Sequence, residues 1–178
     1  LIYITSPSKS IDVETINNTV NTLQNWGFKV LLSKHCLGKH NYFSGTYDER
    51  IEDMQFGIDN PDVKAIICSR GGYGCIQIVD KLDWSPLIEN PKWIIGFSDI
   101  TVFHQRLQTL NIPSIHGPMP ITFNDNTQLS LTLLNNAIRG IPYTIKIETN
   151  QLNITGVCQG ELVGGNLSIL YSLLGTND

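Results

Sequence analysis

The sequence predicts an α/β protein built on a parallel sheet. Three observations carry that prediction. Short apolar runs alternate with longer helix-patterned segments, in a strand–helix–strand rhythm. Two of the runs, Val63 to Cys68 and Lys92 to Gly96, are nearly continuous in apolar residues, as strands covered on both faces are. Several strand candidates are followed at once by a serine- or glycine-containing break.

The elements follow in order. Residues 1–5 are apolar and β-prone, and Ser6-Pro7-Ser8 ends the run. A helix is expected from about Asp12 to Trp26, with Ile11, Thr15, Val20 and Leu23 as a loose apolar face and Gly27 as its C′ stop. Phe28 to Leu32 reads as the second strand. A polar loop, 33–46, ends in Tyr42-Phe43-Ser44-Gly45-Thr46. Thr46 and Glu49 form a capping box for a helix over about Asp48 to Asp59, which Asn60-Pro61 ends. After the Val63–Cys68 strand come the loop Ser69-Arg70-Gly71-Gly72-Tyr73-Gly74 and a helix from Cys75 to about Lys81. After Lys92–Gly96, a helix opens past Ser98 and runs to about Leu110, and Ser114 to His116 is a short strand. Composition shifts near Arg139. The expected organisation is an α/β domain over 1–139, a linker region over 140–155, and the start of a second domain over 156–178. Strands are expected at Thr144–Glu148, which alternates, and at Gly156–Val163, with a helix beginning at Gly164-Gly165-Asn166.

Composition excludes several classes. The 178 residues carry 12 basic and 16 acidic side chains, a net charge of -4, with no basic stripe of the kind nucleic acid or a membrane surface requires. No apolar run approaches the roughly 20 residues that span a bilayer. Hydrophobic residues make up 41% of the chain, enough for an ordinary core. Cys36, Cys68, Cys75 and Cys158 show no zinc-ligand spacing and read as reduced thiols in a reducing, cytoplasmic compartment. No metal or cofactor is expected. Leu1-Ile2-Tyr3-Ile4 is already a strand with no charged region before it, so it is no signal peptide, and both ends read as trimmed.

Ser98 stands between a buried strand and a helix, the setting of a nucleophile elbow. Gly96 permits a tight turn before it, and the Asp99 N–H at the helix start suits an oxyanion. The segment lacks the second glycine of G-x-S-x-G, so a plain helix cap remains the alternative. The loop Arg70–Gly74 offers bare backbone to a ligand or an oxyanion, or is simply a tight turn. His116 is the nearest sequence candidate for a base, but it reads as a structural hydrogen-bonding residue. Asp99 adjoins Ser98, and its side chain should diverge from the hydroxyl. His35, His40 and His104 show no partner spacing.

An ordered set of segments goes further. Thr5-Ser6-Pro7-Ser8 comes first, then Phe43-Ser44-Gly45-Thr46 with Arg50, and Ser69-Arg70-Gly71-Gly72-Tyr73-Gly74. Leu82-Asp83-Trp84, Pro91-Lys92 and Ile95-Gly96-Phe97-Ser98-Asp99-Ile100-Thr101 follow. His116-Gly117-Pro118-Met119 and Gly164-Gly165-Asn166-Leu167 complete it. In this order, over almost the whole chain, they resemble the LD-carboxypeptidases, a family that includes microcin self-immunity peptidases. The resemblance implies a class I glutamine-amidotransferase-like, flavodoxin-like α/β domain followed by a smaller β-rich domain. It implies metal-free serine hydrolysis of the amide between an L-centre and a terminal D-amino acid of a murein tetrapeptide, in a homodimer. Ser98 matches the nucleophile, and the N–H groups of Gly72 and Asp99 match the oxyanion hole. The family's glutamate and histidine bases lie beyond the Gly-Gly-Asn-Leu segment and match nothing here, while His116 matches a non-triad histidine. The 178 residues alone are therefore expected to be inactive. Arg70, beside Gly71, suits a substrate carboxylate, with an ion pair to Asp99 as the alternative. A non-catalytic peptide-binding remnant, and a relative acting on a peptidyl-nucleotide antibiotic, are the competing readings.

Overall fold

A computed structural model of the chain describes residues 1–176. Five strands form one parallel sheet: β1 (Ile2–Thr5), β2 (Val30–Leu32), β3 (Ala65–Cys68), β4 (Trp93–Gly96) and β5 (Ile115–His116). Their order is β2-β1-β3-β4-β5, the doubly wound order in which the chain steps to opposite sides of β1. The registers Ile2↔Ala65 and Ala65↔Trp93 align the first residues of the three central strands.

Side chains alternate across the strands, so one sheet feeds two cores. Tyr3, Ile66 and Ile94 face one side, packed with Met54, Ile58, Leu87 and Phe103. Ile2, Ile4, Ile67 and Ile95 face the other, packed with Ile16, Leu23 and Leu134. Both faces are covered, which is why the central strands read as unbroken apolar runs.

The helices are α1 (Val13–Asn25), α2 (Tyr47–Asp59), α3 (Cys75–Ile78), α4 (Pro86–Glu89), α5 (Thr101–Thr109), α6 (Gln128–Ile138) and α7 (Leu167–Ser172). Helix α1 starts where the Asp12 carboxylate accepts the Thr15 N–H at 2.8 Å, and stops before Gly27 at φ 86°. Its buried line is Ile16, Thr19 and Leu23, so the inward face is rotated from the expected one and Thr15 is only half-buried. The capping box of α2 forms: Glu49 accepts the Thr46 N–H at 2.7 Å, and Thr46 Oγ1 accepts the Glu49 N–H at 3.3 Å. The expected Cys75–Lys81 helix divides into α3 and a 3₁₀ turn over Val79–Lys81. Lys92 is buried at the foot of β4, and its ammonium donates to the carbonyls of Gly57, Ile58 and Asn60 at the end of α2. It acts as a C-terminal cap delivered from another element.

Two expectations fail beyond residue 139. No strand forms at 144–148 or at 156–163; residues 141–164 are exposed and lie outside regular secondary structure, with a turn at Gln151-Leu152. The first segment alternates, but a strand is a pairing, and among the described residues no neighbouring backbone pairs with either segment. The helix expected at Asn166 does form, capped by that side chain, which accepts the N–H groups of Ser168 and Ile169 at 3.1 and 3.3 Å.

Candidate active site

The loops after β1, β3 and β4 meet at the carboxyl edge of the sheet, where the strand order reverses. That edge is where open α/β sheets bind ligands. Ser98 is half-buried at the end of β4 with φ 60°, one of three non-glycine residues with positive φ among those described. Such a conformation costs about 1–2 kcal/mol for an L-residue and persists only where the surroundings impose it. Gly96 is one reason the turn closes: a Cβ there would stand 2.7 Å from Ile100 Cγ1. Gly71 is the second: a Cβ there would stand 3.1 Å from the Asp99 nitrogen and 3.3 Å from Ser98 Cβ. The glycine loop therefore lies directly against the serine. The neighbouring Gly72 is exposed at φ 124°, and its N–H has no acceptor among the described residues.

Asp99 is 2% exposed and turns away from the serine. Its Oδ2 accepts the Ser8 hydroxyl and, at 3.0 Å, the Cys75 N–H at the start of α3. The carboxylate thus ties the β1 loop to the far end of the glycine loop. It forms no ion pair with Arg70, whose Nη1 donates to the Ser10 carbonyl at 3.1 Å. Burial, helped by the Asp99 charge, pushes the Cys75 thiol far above its ordinary value, which makes it a poor nucleophile.

Arg50, from α2, lies 3% exposed beneath these loops. Its Nη1 donates to the carbonyls of Pro7 at 3.0 Å and Gly74 at 3.1 Å, and its guanidinium carbon stands 4.4 Å from the Phe43 ring centroid. Burial lowers its pKa. Ser6 and Ser69 join the β1 and β3 loops hydroxyl to hydroxyl at 2.6 Å, and the Ser44 hydroxyl donates to the Ser6 carbonyl.

His116 is exposed at the end of β5, with its ring centroid 6.3 Å from that of Phe97. It borders a cavity of about 450 Å³ shared with Phe97, Leu134 and Tyr143. No histidine or carboxylate among the described residues hydrogen-bonds the Ser98 hydroxyl. His35 does have a partner that the sequence did not reveal: its Nδ1 lies 3.0 Å from Asp53 Oδ1. His104 likewise has two, the Gly96 carbonyl and the Ser114 hydroxyl. The Gly164-Gly165-Asn166 segment docks beside the turn, where the Asn166 N–H donates to Thr101 Oγ1 at 3.0 Å.

The roles of Arg50, His104 and Lys92 were not legible in the sequence. All three reach backbone carbonyls, which leave no side-chain pattern. One usable signal exists for His104: a histidine one turn into the helix that follows an elbow lies back over the strand end.

A parallel α/β sheet with a serine at positive φ on a strand-to-helix turn, backed by a glycine loop, is the class of hydrolase-like elbow proteins. Residues 2–117 match the LD-carboxypeptidase N-terminal domain, and the chain belongs to the LD-carboxypeptidase family. The murein tetrapeptide carboxypeptidase of Pseudomonas aeruginosa is 31% identical over 186 residues, covering 98% of this chain and 60% of that protein. The microcin C7 self-immunity protein MccF of Escherichia coli is 28% identical over 190 residues, 88% of this chain and 55% of that one. The structure of MccF without ligand superposes with TM-score 0.78 at 25% identity, over 98% of this chain and 62% of that chain. The muramoyltetrapeptide carboxypeptidase of Oxalobacter formigenes superposes with TM-score 0.69 at 27% identity, over 76% and 47%. The chain spans about three-fifths of the length of the curated relatives it matches first, 58% and 60%.

Proposed function

We propose that this chain carries the nucleophile of a serine LD-carboxypeptidase that removes the terminal D-amino acid from murein tetrapeptides. One observation carries the reading: Ser98 is held at φ 60° against Gly71, one residue from an N–H without an acceptor. In this reading the Ser98 hydroxyl attacks the carbonyl of the L-centre. The oxyanion that forms is met by the N–H groups of Gly72 and Asp99. Arg70 retains donors beyond the one given to Ser10 and meets the substrate's free carboxylate, Gly71 provides close approach, and His116 borders the substrate. An unassisted serine hydroxyl is a poor nucleophile near neutral pH. The base is a glutamate-supported histidine supplied from outside these residues, so the 178-residue chain alone turns over little or nothing. The sheet order fits a class I glutamine-amidotransferase-like domain, and the working unit is a cytoplasmic homodimer.

The test supplies the missing part. Joined to the C-terminal portion of the Pseudomonas aeruginosa relative, the chain is expected to release D-alanine from a murein tetrapeptide and to form a stoichiometric adduct with a serine-directed phosphonate. Ser98→Ala abolishes both. Efficient release by the 178 residues alone would overturn the incomplete site, and release that survives Ser98→Ala would overturn the nucleophile.

A further inference from the structure

The strand end that leads into the Ser98 turn is held from two sides. The Gly96 carbonyl accepts the Gly117 N–H from beyond β5 at 3.1 Å. It also lies 2.9 Å from His104 Nε2, reaching back from α5. A carbonyl oxygen can only accept, so Nε2 carries the ring proton. Nδ1 then accepts from the Ser114 hydroxyl, 2.8 Å away, which fixes the tautomer from the second side. His104 is 6% exposed. The nearest titratable ring is His116, 5.8 Å between centroids, and Glu161 borders the same cavity of about 820 Å³. Burial is the main cause that pushes the His104 pKa down from 6.5 to about 4; the Gly96 bond opposes it and His116 adds a little. The ring is therefore neutral and singly donating at working pH.

Ser98 sits two residues beyond that carbonyl, and Phe97 between them is extended at φ -147° and ψ -174°. An extended link transmits the position of the strand end directly to the serine. Left-handed serine is strained, and strain survives only where fixed neighbours over-determine it. Gly71 blocks one side of the serine, but contact alone does not fix the peptide preceding the turn. Two donors meet that peptide's carbonyl, and the one that belongs to the same helix the turn opens is His104.

We infer that His104 is a positioning residue. Its Nε2–H fixes the Gly96 carbonyl and thereby holds Ser98 in the left-handed conformation that presents its hydroxyl. His104 does not touch substrate, and Ser114 acts through it by selecting the tautomer. The assignment rests on Ser98 being the nucleophile only for its consequence in catalysis. The geometry itself is measurable whether or not the peptidase reading holds.

The experiment uses the isotopically labelled 178-residue chain in solution. A residue at positive φ gives a strong intraresidue NOE between its amide and α protons, and Ser98 is expected to give one. Imidazole nitrogen shifts are expected to report the Nε2–H tautomer of His104 from pH 5 to 8. His104→Leu should weaken the Ser98 NOE several-fold while Asn41 and Asn111, the other left-handed residues, keep theirs. His104→Gln should retain it, because a glutamine amide reaches the same carbonyl. A merely structural role would lower the melting temperature of both variants without separating them at Ser98. An unchanged Ser98 NOE in His104→Leu, or an Nδ1–H ring in the parent chain, overturns the assignment. Should His104→Leu fail to fold, Ser114→Ala decides: a mixed tautomer with a weakened NOE supports it, and an unaltered ring and NOE overturn it. Failure of D-alanine release in the chimaera counts against the peptidase reading alone and leaves this measurement standing.

Discussion

Ile67 and Ile154 are the same side chain in opposite surroundings. Ile67, in β3, is 0% exposed, closed in by α-helical cover and by strands on both sides. Ile154 lies in the irregular segment 141–165 and is 100% exposed, and Val157 and Leu162 are as open. Both regions carry apolar residues in strand-like patterns. Only the first has strands alongside its backbone and a closed layer over its side chains. Apolar content permits burial, and burial happens only where another element provides the second surface. The second region touches the first around α6, where the Ile141 N–H donates to the Asn136 carbonyl at 2.9 Å, and around α5. Gln108 bonds Glu161 at 2.8 Å, and Asn166 bonds Thr101.

That contrast can be broken by one substitution made twice. Ile67→Ala removes buried methyl groups between closed layers and should cost roughly 4 kcal/mol of unfolding free energy, read by urea denaturation. A cost below about 1 kcal/mol would mean that the core is looser than described. The next effect in size comes from pH. His104 is neutral when folded and protonates near 4, whereas the unfolded imidazole protonates near 6.5. Its contribution is fully present above 6.5 and is lost as pH falls toward 4, about 3 kcal/mol over that window. Denaturation at pH 7 and pH 4.5 should show roughly 2.4 kcal/mol of that loss in the parent chain, and His104→Gln should remove this component of the slope. An equal slope in both would remove the burial argument for His104. The smallest effect sharpens the contrast from the other side. Ile154→Ala should change stability by no more than about 0.5 kcal/mol, because the side chain is already in water. A larger loss would show that the segment is packed in solution.

The two regions also differ in how much of them could be read from sequence. β1, β3 and β4 were legible because burial on both faces leaves continuous apolar runs, and the ends of α1 and α2 because Asp12, Gly27, Thr46 and Glu49 act within their own turns. Helix α6 was not anticipated. Its start depends on Thr127 accepting the Ser130 N–H, a weak cap after a 3₁₀ stretch at Pro120–Asp125. The strands expected past residue 139 do not form: the composition of a segment, alternating at 144–148, says nothing about what lies alongside it. At the candidate site, Ser98 and the glycine loop announced themselves through residue type. His104, Arg50 and Lys92 did not, since each meets carbonyls 8 to 43 positions away, a distance over which a single chain carries no local signature.

Arg50 has a consequence for how the site can move. One guanidinium bonds the β1 loop at Pro7 and the β3 loop at Gly74, and rests on Phe43 of a third loop. Its Nη2 donates to Gln77 Oε1 at 2.7 Å, so the head group has little slack to follow one loop and release another. Opening any of the three exposes the same cation, so the three share one opening free energy. The rim of this site behaves as a single cooperative unit, so the three loops around it yield together or not at all.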